Sequence, residues 1–204
     1  MKNEARIVIV EKPDWVTWEE IHQILWKAHE QNRQKGMFMV LPAKSAEELQ
    51  KYIEGRGKMF VALDGQRVIG TLAIIVKEGH RWFNNGQYGY ACLGAVLPES
   101  SGKGVFRAMY DKMEAEAIQM QLPLIIRDTH ENNARMLKIS KKEGYQYVSY
   151  KVCKDHFNIV RAKWLNGCPY PHWYIKLRFL LSKFKLKTRY KMVPGKGRVK
   201  RFGI

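Results

Sequence analysis

Ser101-Gly102-Lys103-Gly104 is the stretch whose residue types and spacing best fit a chemical task. An apolar run, Leu93 to Leu97, leads through Pro98 into it, and a helix-forming sequence comes directly after, so the stretch reads as a strand-loop-helix junction. The first N–H groups of such a helix have no intrahelical acceptor, and the helix dipole reinforces their positive potential. Gly102 and Gly104 let the backbone come close to a bulky anion and Lys103 adds a mobile positive charge, which makes phosphate or pyrophosphate the natural ligand class. Two glycines around a lysine also fit an ordinary strand-to-helix turn. The loop is too short for a Walker A motif, and it lacks the third glycine and the distal acid of a dinucleotide fingerprint.

Composition bounds what can surround this junction. The chain has 204 residues, 46% of them hydrophobic, enough for one well-cored domain with an appendage. No apolar run approaches the roughly 20 residues that span a bilayer, and the N-terminal residues lack the pattern of a signal peptide, so a cytoplasmic protein is expected. Cys92, Cys153 and Cys168 are odd in number and show no ligand spacing, which points to reduced structural thiols and no metal site. The charge is uneven. Residues 151–204 carry 15 Lys or Arg against the single acid Asp155, a balance of +14 out of a total of +17. The chain therefore divides near Tyr150 into a globular part, 1–150, and a basic, aromatic-rich extension, 151–204.

Several elements must position the junction. Ile7 to Val10 suits a strand. Thr17 with Glu20 has capping-box spacing and opens a helix from about Trp18 to Glu30; Ser45 with Glu48 opens a second, ending near Glu54. Between them Gln31 to Lys44, with Gly36, Met37, Phe38 and Met39, reads as a loop apolar enough to line a pocket. Lys58 to Leu63 and Arg67 to Val76 form a hairpin across Asp64-Gly65. A loop with Gly79, His80, Trp82, Asn84, Asn85 and Gly86 precedes a long strand, Gln87 to Leu97. After the junction comes a helix with Phe106, Met109, Tyr110, Met113 and Ala117 on one face. A strand over Leu122 to Arg127 closes a parallel crossover unit. Asn132 or Asn133 caps a helix from Ala134 that Gly144 ends, and Tyr145 to Val152 forms a further strand. The sum is a mixed α/β fold, antiparallel first and with a parallel crossover in its second half.

Ala95-Val96-Leu97-Pro98-Glu99 leading into Gly102-Lys103-Gly104-Val105-Phe106, and then Asn133-x-x-Met136-x-x-Ile139-x-x-Lys142-x-Gly144-Tyr145, resembles the GNAT family of acyl-CoA N-acyltransferases over about residues 5–150. The resemblance implies a GNAT-like central mixed sheet flanked by helices, here with a basic C-terminal amphipathic extension, and acetyl-CoA as co-substrate. It implies that backbone amides of Ser101 to Phe106 bind the pyrophosphate. It also implies that Leu93, Ala95 and Val96 pair with the pantetheine arm, and that the helix with Asn133 and Met136 flanks the thiol end. The chain departs from the family pattern at Ser101, where Arg or Gln is usual, and at Phe106, where Gly or Ala is usual. Ser140 stands where the family often has the tyrosine that protonates the leaving thiolate.

The implied chemistry is attack of an amine on a thioester. The amine must lose a proton and the thiolate must be stabilised. Candidates are His130, expected in the loop past the Leu122 to Arg127 strand, Tyr90 and Cys92 on one face of the long strand, Tyr145, and Ser140; water is the remaining carrier. Asn133 also reads as a helix N-cap. The loops Gln31 to Lys44 and Gly79 to Gly86 would cover the acceptor, a small-molecule amine such as an amino sugar or its lipid-carrier-linked form.

In the extension, Trp173, Leu177, Leu180, Leu181 and Phe184 recur at helical period, with Lys176, Arg178, Lys183, Lys185 and Lys187 around them. The stripe fits either packing on the domain or an anionic membrane surface on the inner face of the membrane; no nucleic-acid module accompanies the charge. The competing class to an enzyme is a non-catalytic module of this fold that binds an anionic membrane surface or nucleic acid through its tail.

Overall fold

Two hydroxyl caps start the first long helices as their spacing predicts. In the computed structural model, which describes residues 7–37, 45–79, 86–153, 156–193 and 197–200, Thr17 Oγ1 accepts from the Glu20 N–H at 3.1 Å to open α1 (Trp18–Ala28). The helix expected to reach Glu30 breaks at His29, and a short α2 (Glu30–Gln34) occupies the start of what reads as loop. The reason is Arg33. Its guanidinium lies 4.4 Å from the Trp26 ring centroid, bonds the Trp26 carbonyl at 2.8 Å and pairs with Glu30, folding a second turn back onto the first. Ser45 Oγ accepts from the Glu48 N–H at 3.2 Å to open α3 (Ala46–Ile53). Phe38, Met39, His80, Trp82, Asn84 and Asn85 lie outside the described residues.

The chain divides into two compact units, residues 1–125 and 126–204. In the first, β1 (Val8–Glu11), β2 (Gly57–Asp64), β3 (Arg67–Lys77) and β4 (Tyr88–Val96) pair antiparallel in succession, and Asp64 faces Arg67 across the expected hairpin turn. α1 and α3 lay Ile21, Leu25, Leu49 and Ile53 on Met59, Val61, Ala73 and Ile75. Strand alternation turns Leu72 and Ile74 to the other face, where α4 (Val105–Gln119) packs with Met109 and Met113 fully buried.

β5 (Leu124–His130) runs two residues later at its start, and three at its end, than its apolar run predicts. In the second unit it leads into α5 (Ala134–Lys142), β6 (Gln146–Val152) and β7 (Phe157–Trp164), the last two antiparallel. The boundary expected at residue 150 therefore falls inside β6, and the sheet continues through Trp164. Beyond it lie α6 (His172–Arg189), β8 (Tyr190–Val193) and β9 (Gly197–Lys200). The strands form a seven-stranded mixed sheet in the order β1-β2-β3-β4-β5-β7-β6, with β8-β9 as a separate ribbon. α6 packs on β6, but not through the apolar stripe that its sequence displays. Phe179 meets the Tyr147 and Tyr150 rings at 5.6 and 5.3 Å, Ser182 Oγ accepts from the Tyr150 N–H at 3.0 Å, and Ile175 is buried. The stripe itself is exposed.

His29, at the α1–α2 break, gives the first unit a pH dependence. Burial first, and the charge of Arg33 second, lower its pKa from 6.5 to about 4. The unfolded chain thus takes up a proton at His29 that the fold refuses, so stability contributed by neutral His29 is complete above pH 6.5 and is lost as pH falls towards 4. Urea titrations should show a loss of up to about 3 kcal/mol across this window that a His29→Gln variant lacks; identical pH profiles for the two proteins would contradict the assignment.

Candidate functional site

β4 carries a bulge at its centre. Ala73 faces Cys92 but Thr71 faces Ala95, so Leu93 and Gly94 together stand opposite Leu72. Leu93 sits at φ 56°, a left-handed conformation that an apolar side chain rarely adopts. Thr71, buried in β3, donates its hydroxyl to the Leu93 carbonyl at 2.9 Å and so holds the kink. A bulge leaves strand groups out of the ladder, and here it interrupts the very segment, Leu93, Ala95 and Val96, singled out for pairing with an extended ligand.

Past β4 the chain makes a short 3-10 turn, Pro98–Ser100, and the Ser101 N–H closes on the Pro98 carbonyl at 3.1 Å. Gly102 (φ 86°) and Gly104 (φ 78°) are both left-handed and flank Lys103. All three are exposed, and a Cβ built on either glycine meets nothing within 4 Å. The space beside the turn is open. Gly104 is the N-cap of α4 with no side-chain cap bond, and no acid occupies the first turn, in contrast to the capped starts of α1 and α3 with their Glu pairs. The first intrahelical bond runs from the Ala108 N–H to the Gly104 carbonyl, so the N–H groups of Val105 and Phe106 come before the helix's own bonding pattern begins. The nearest acid in sequence, Glu99, is compensated: Arg67 bonds it at 2.6 Å and Lys27 lies at 3.6 Å. Its carboxyl is held below the ordinary carboxylate range, by its own backbone N–H first and then by Arg67.

Phe106 does not fill the turn. Its ring lies over Gly94, within 3.3 Å of where a Cβ would stand, and tilts against Tyr110 at 4.8 Å between centroids. The bulky residue at 106 is thus accommodated by the missing side chain at 94. Tyr90 and Cys92 pack against the α1 and α3 core, and Lys77 Nζ lies 3.9 Å from the Tyr90 ring centroid.

The remaining singled-out residues belong to the second unit. His130 is the last residue of β5 rather than part of a loop, and it is buried because Phe157 of β7 accepts from the adjacent Glu131 N–H at 3.0 Å and draws the strand end under cover. Its Nδ1 accepts from the Asn132 N–H at 3.1 Å. His156, which no sequence motif marks, stacks on it at 4.6 Å. Asn133 is the N-cap of α5, its Oδ1 accepting from the Met136 N–H at 3.1 Å. The Met136 carbonyl accepts from Ser140 Oγ and, at 3.2 Å, from Arg161 Nη1, which also bonds Ser140. Ser140 and Arg161 are both fully enclosed, so the family's tyrosine position is held by a packing hydroxyl. Tyr145 is a core aromatic with the Arg127 guanidinium 3.9 Å from its ring centroid. Thr71 and Arg161 escape detection in the sequence because each reads as a minor polar interruption in an apolar strand; nothing in the sequence points to His156.

Residues 18–145 match the acetyltransferase (GNAT) family, and the chain belongs to that family. Solved structures share the fold. An acetyltransferase of the GNAT family from Streptococcus agalactiae 2603 superposes with TM-score 0.62 at 17% identity, over 78% of this chain and 95% of its own. The ribosomal-protein-S18-alanine N-acetyltransferase of Escherichia coli gives 0.60 at 13%, over 79% and 96%. A GNAT acetyltransferase from Elizabethkingia anophelis with acetyl-CoA bound gives 0.57 at 13%, over 80% and 99%. No curated protein matches the sequence. The family's co-substrate is acetyl-CoA and its acceptors are amines.

The fit of Phe106 over Gly94 is testable. Gly94→Ala should cost about 1 kcal/mol in urea denaturation because the added methyl meets the ring and Leu72 at 3.3 Å. In a Phe106→Ala background the same change should cost less, because only the Leu72 contact remains; an equal cost in both would place the ring elsewhere.

Proposed function

We propose that this protein transfers an acetyl group from acetyl-CoA to the amine of a small molecule by direct attack on the thioester, with an amino sugar or its lipid-carrier-linked form as the leading acceptor. The observation that carries the reading is the start of α4: an open turn with left-handed Gly102 and Gly104, no side-chain cap and no first-turn acid. The residues present fit a diphosphate. Main-chain N–H groups from Gly102 to Phe106 would hold it, with Lys103 as a mobile counter-charge, and none of these donors depends on the family's usual side chains at 101 and 106. Leu93, Ala95 and Val96 would align the extended arm through main-chain groups, and Asn133 and Met136 belong to the helix that flanks the thiol end in the family.

Bound acetyl-CoA supplies an activated carbonyl and a thiolate leaving group. The chain's own task is to position that carbonyl and exclude competing geometries. The acceptor amine is protonated at neutral pH and must shed its proton before attack. Tyr90, Cys92 and Tyr145 are engaged in packing, and Ser140 donates its hydroxyl to a carbonyl. His130 remains the one imidazole among the candidates, and water is the simplest carrier of the proton.

Calorimetry should give micromolar binding of acetyl-CoA to the native protein. Gly104→Ala should weaken it about tenfold, since a left-handed non-glycine residue costs about 1–2 kcal/mol, while the melting temperature falls by a few degrees. A panel of amines, including peptide N-termini because a solved relative carries a bound peptide and CoA, should contain at least one that accelerates release of free CoA thiol. Absence of binding, or release no faster than hydrolysis for every amine, overturns the reading.

A further inference from the structure

α6 is anchored on one side and displays an apolar stripe on the other. Ile175, Phe179, Ser182 and Leu186 face β6 and its neighbours. At 3.6 residues per turn, Trp173, Leu177, Leu180, Leu181 and Phe184 lie about 180° away round the helix. These five are 66%, 45%, 48%, 55% and 71% exposed. The helix contains six basic residues and no acid. By the same periodicity Lys176, Lys183 and Lys187 run along one flank of the stripe, and Arg178, Lys185 and Arg189 along the other. Lys187 is tied to Glu131 at 2.7 Å, which pins that flank to the body of the second unit.

We propose that this outer face of α6 docks on an anionic lipid bilayer, lying in the interface plane with the five apolar side chains inserted between headgroups and the flanking cations other than Lys187 against lipid phosphates. The inference is independent of acetyl transfer. Charge complementarity selects the occupant. A second copy seated on the same face would bring together two segments that each carry +14 over residues 151–204, whereas an anionic leaflet attracts every one of those charges. Nucleic acid would use the basic rows but leave the apolar stripe in water. A bilayer interface satisfies both at once. At 18 residues α6 is about 27 Å long, and no helix among the described residues is long and apolar enough to cross a membrane, so α6 lies on the surface. Because Phe179 and Ser182 hold the opposite side against β6, the stripe is presented ready-made, without the cost of folding a free peptide on the lipid.

The test is sedimentation of the full chain with large unilamellar vesicles of phosphatidylcholine containing about 30% phosphatidylglycerol, against phosphatidylcholine alone. The native protein should sediment with the anionic vesicles, at least tenfold less with the neutral ones, and lose binding as salt is raised. Leu180→Glu with Phe184→Glu, both solvent-exposed, should keep the melting temperature and lose binding at least tenfold. Lys176→Gln with Lys183→Gln and Lys185→Gln should lose about fivefold per lysine. Brominated lipid should quench tryptophan fluorescence in the native protein and fail to do so in Trp173→Phe. The proposal falls if the native protein does not sediment. It falls equally if only the lysine variant loses binding, which would mean surface adsorption or nucleic-acid binding. It falls too if the Leu180/Phe184 variant converts a dimer to a monomer without changing vesicle binding, which would assign the stripe to a second copy.

Discussion

The first N–H groups of a helix are a constraint that the helix starts of the first unit meet in different ways. A helix cannot satisfy its own first N–H groups, and the usual remedy, a Ser, Thr or Asn side chain, is used at α1, α3 and α5. At α4 it is withheld. Gly104 offers no side chain, Gly102 turns the preceding loop away, and the Glu residues found in the first turns of α1 and α3 are missing from that of α4. The sheet behind this turn supplies rigidity: Leu97 N–H bonds the Ile69 carbonyl at 2.9 Å, and Arg67 ties Glu99 to β3.

The β4 bulge obeys the same logic. Holding Leu93 in a left-handed conformation is unfavourable, and the Thr71 hydroxyl offsets part of that strain with a buried bond to its carbonyl. The extra residue also reverses the alternation along β4. Cys92 and Ala95 face the α1 and α3 core, while Gly94 meets Phe106 on the α4 side. A departure from the family pattern at 106 is thereby absorbed within the sheet, and the turn is left open.

The second unit solves a different problem, that of a sheet edge. β6 is the last strand, and exposed strand edges invite unwanted pairing. α6 covers it, with Ser182 bonding the Tyr150 backbone and the Phe179 ring packed on Tyr147 and Tyr150. Only one face of α6 is needed for that cover, which is why the other, apolar and flanked by cations, remains exposed.

Local signals are legible in the order of residues alone. Capping spacing at Thr17 and Ser45, the Asp64-Gly65 turn, the helix-ending Gly144 and the glycine turn at 102–104 all act within a few residues, so they can be read without knowing what packs against them. The resemblance carried by Gly102 to Phe106 and Asn133 to Tyr145 then leads to the family. Tertiary structure alone decides which side of a helix is buried and which strand neighbours which. Periodicity picks out Trp173 to Phe184 as a stripe without telling whether it faces in or out, and the charge step at Tyr150 looks like a boundary although β7 still pairs with β6. The bulge at Leu93, the enclosure of Arg161 and the stacking of His130 on His156 depend on partners distant in sequence. No local pattern encodes such partners, because a side chain's environment is set by whichever strand or helix the fold brings to it.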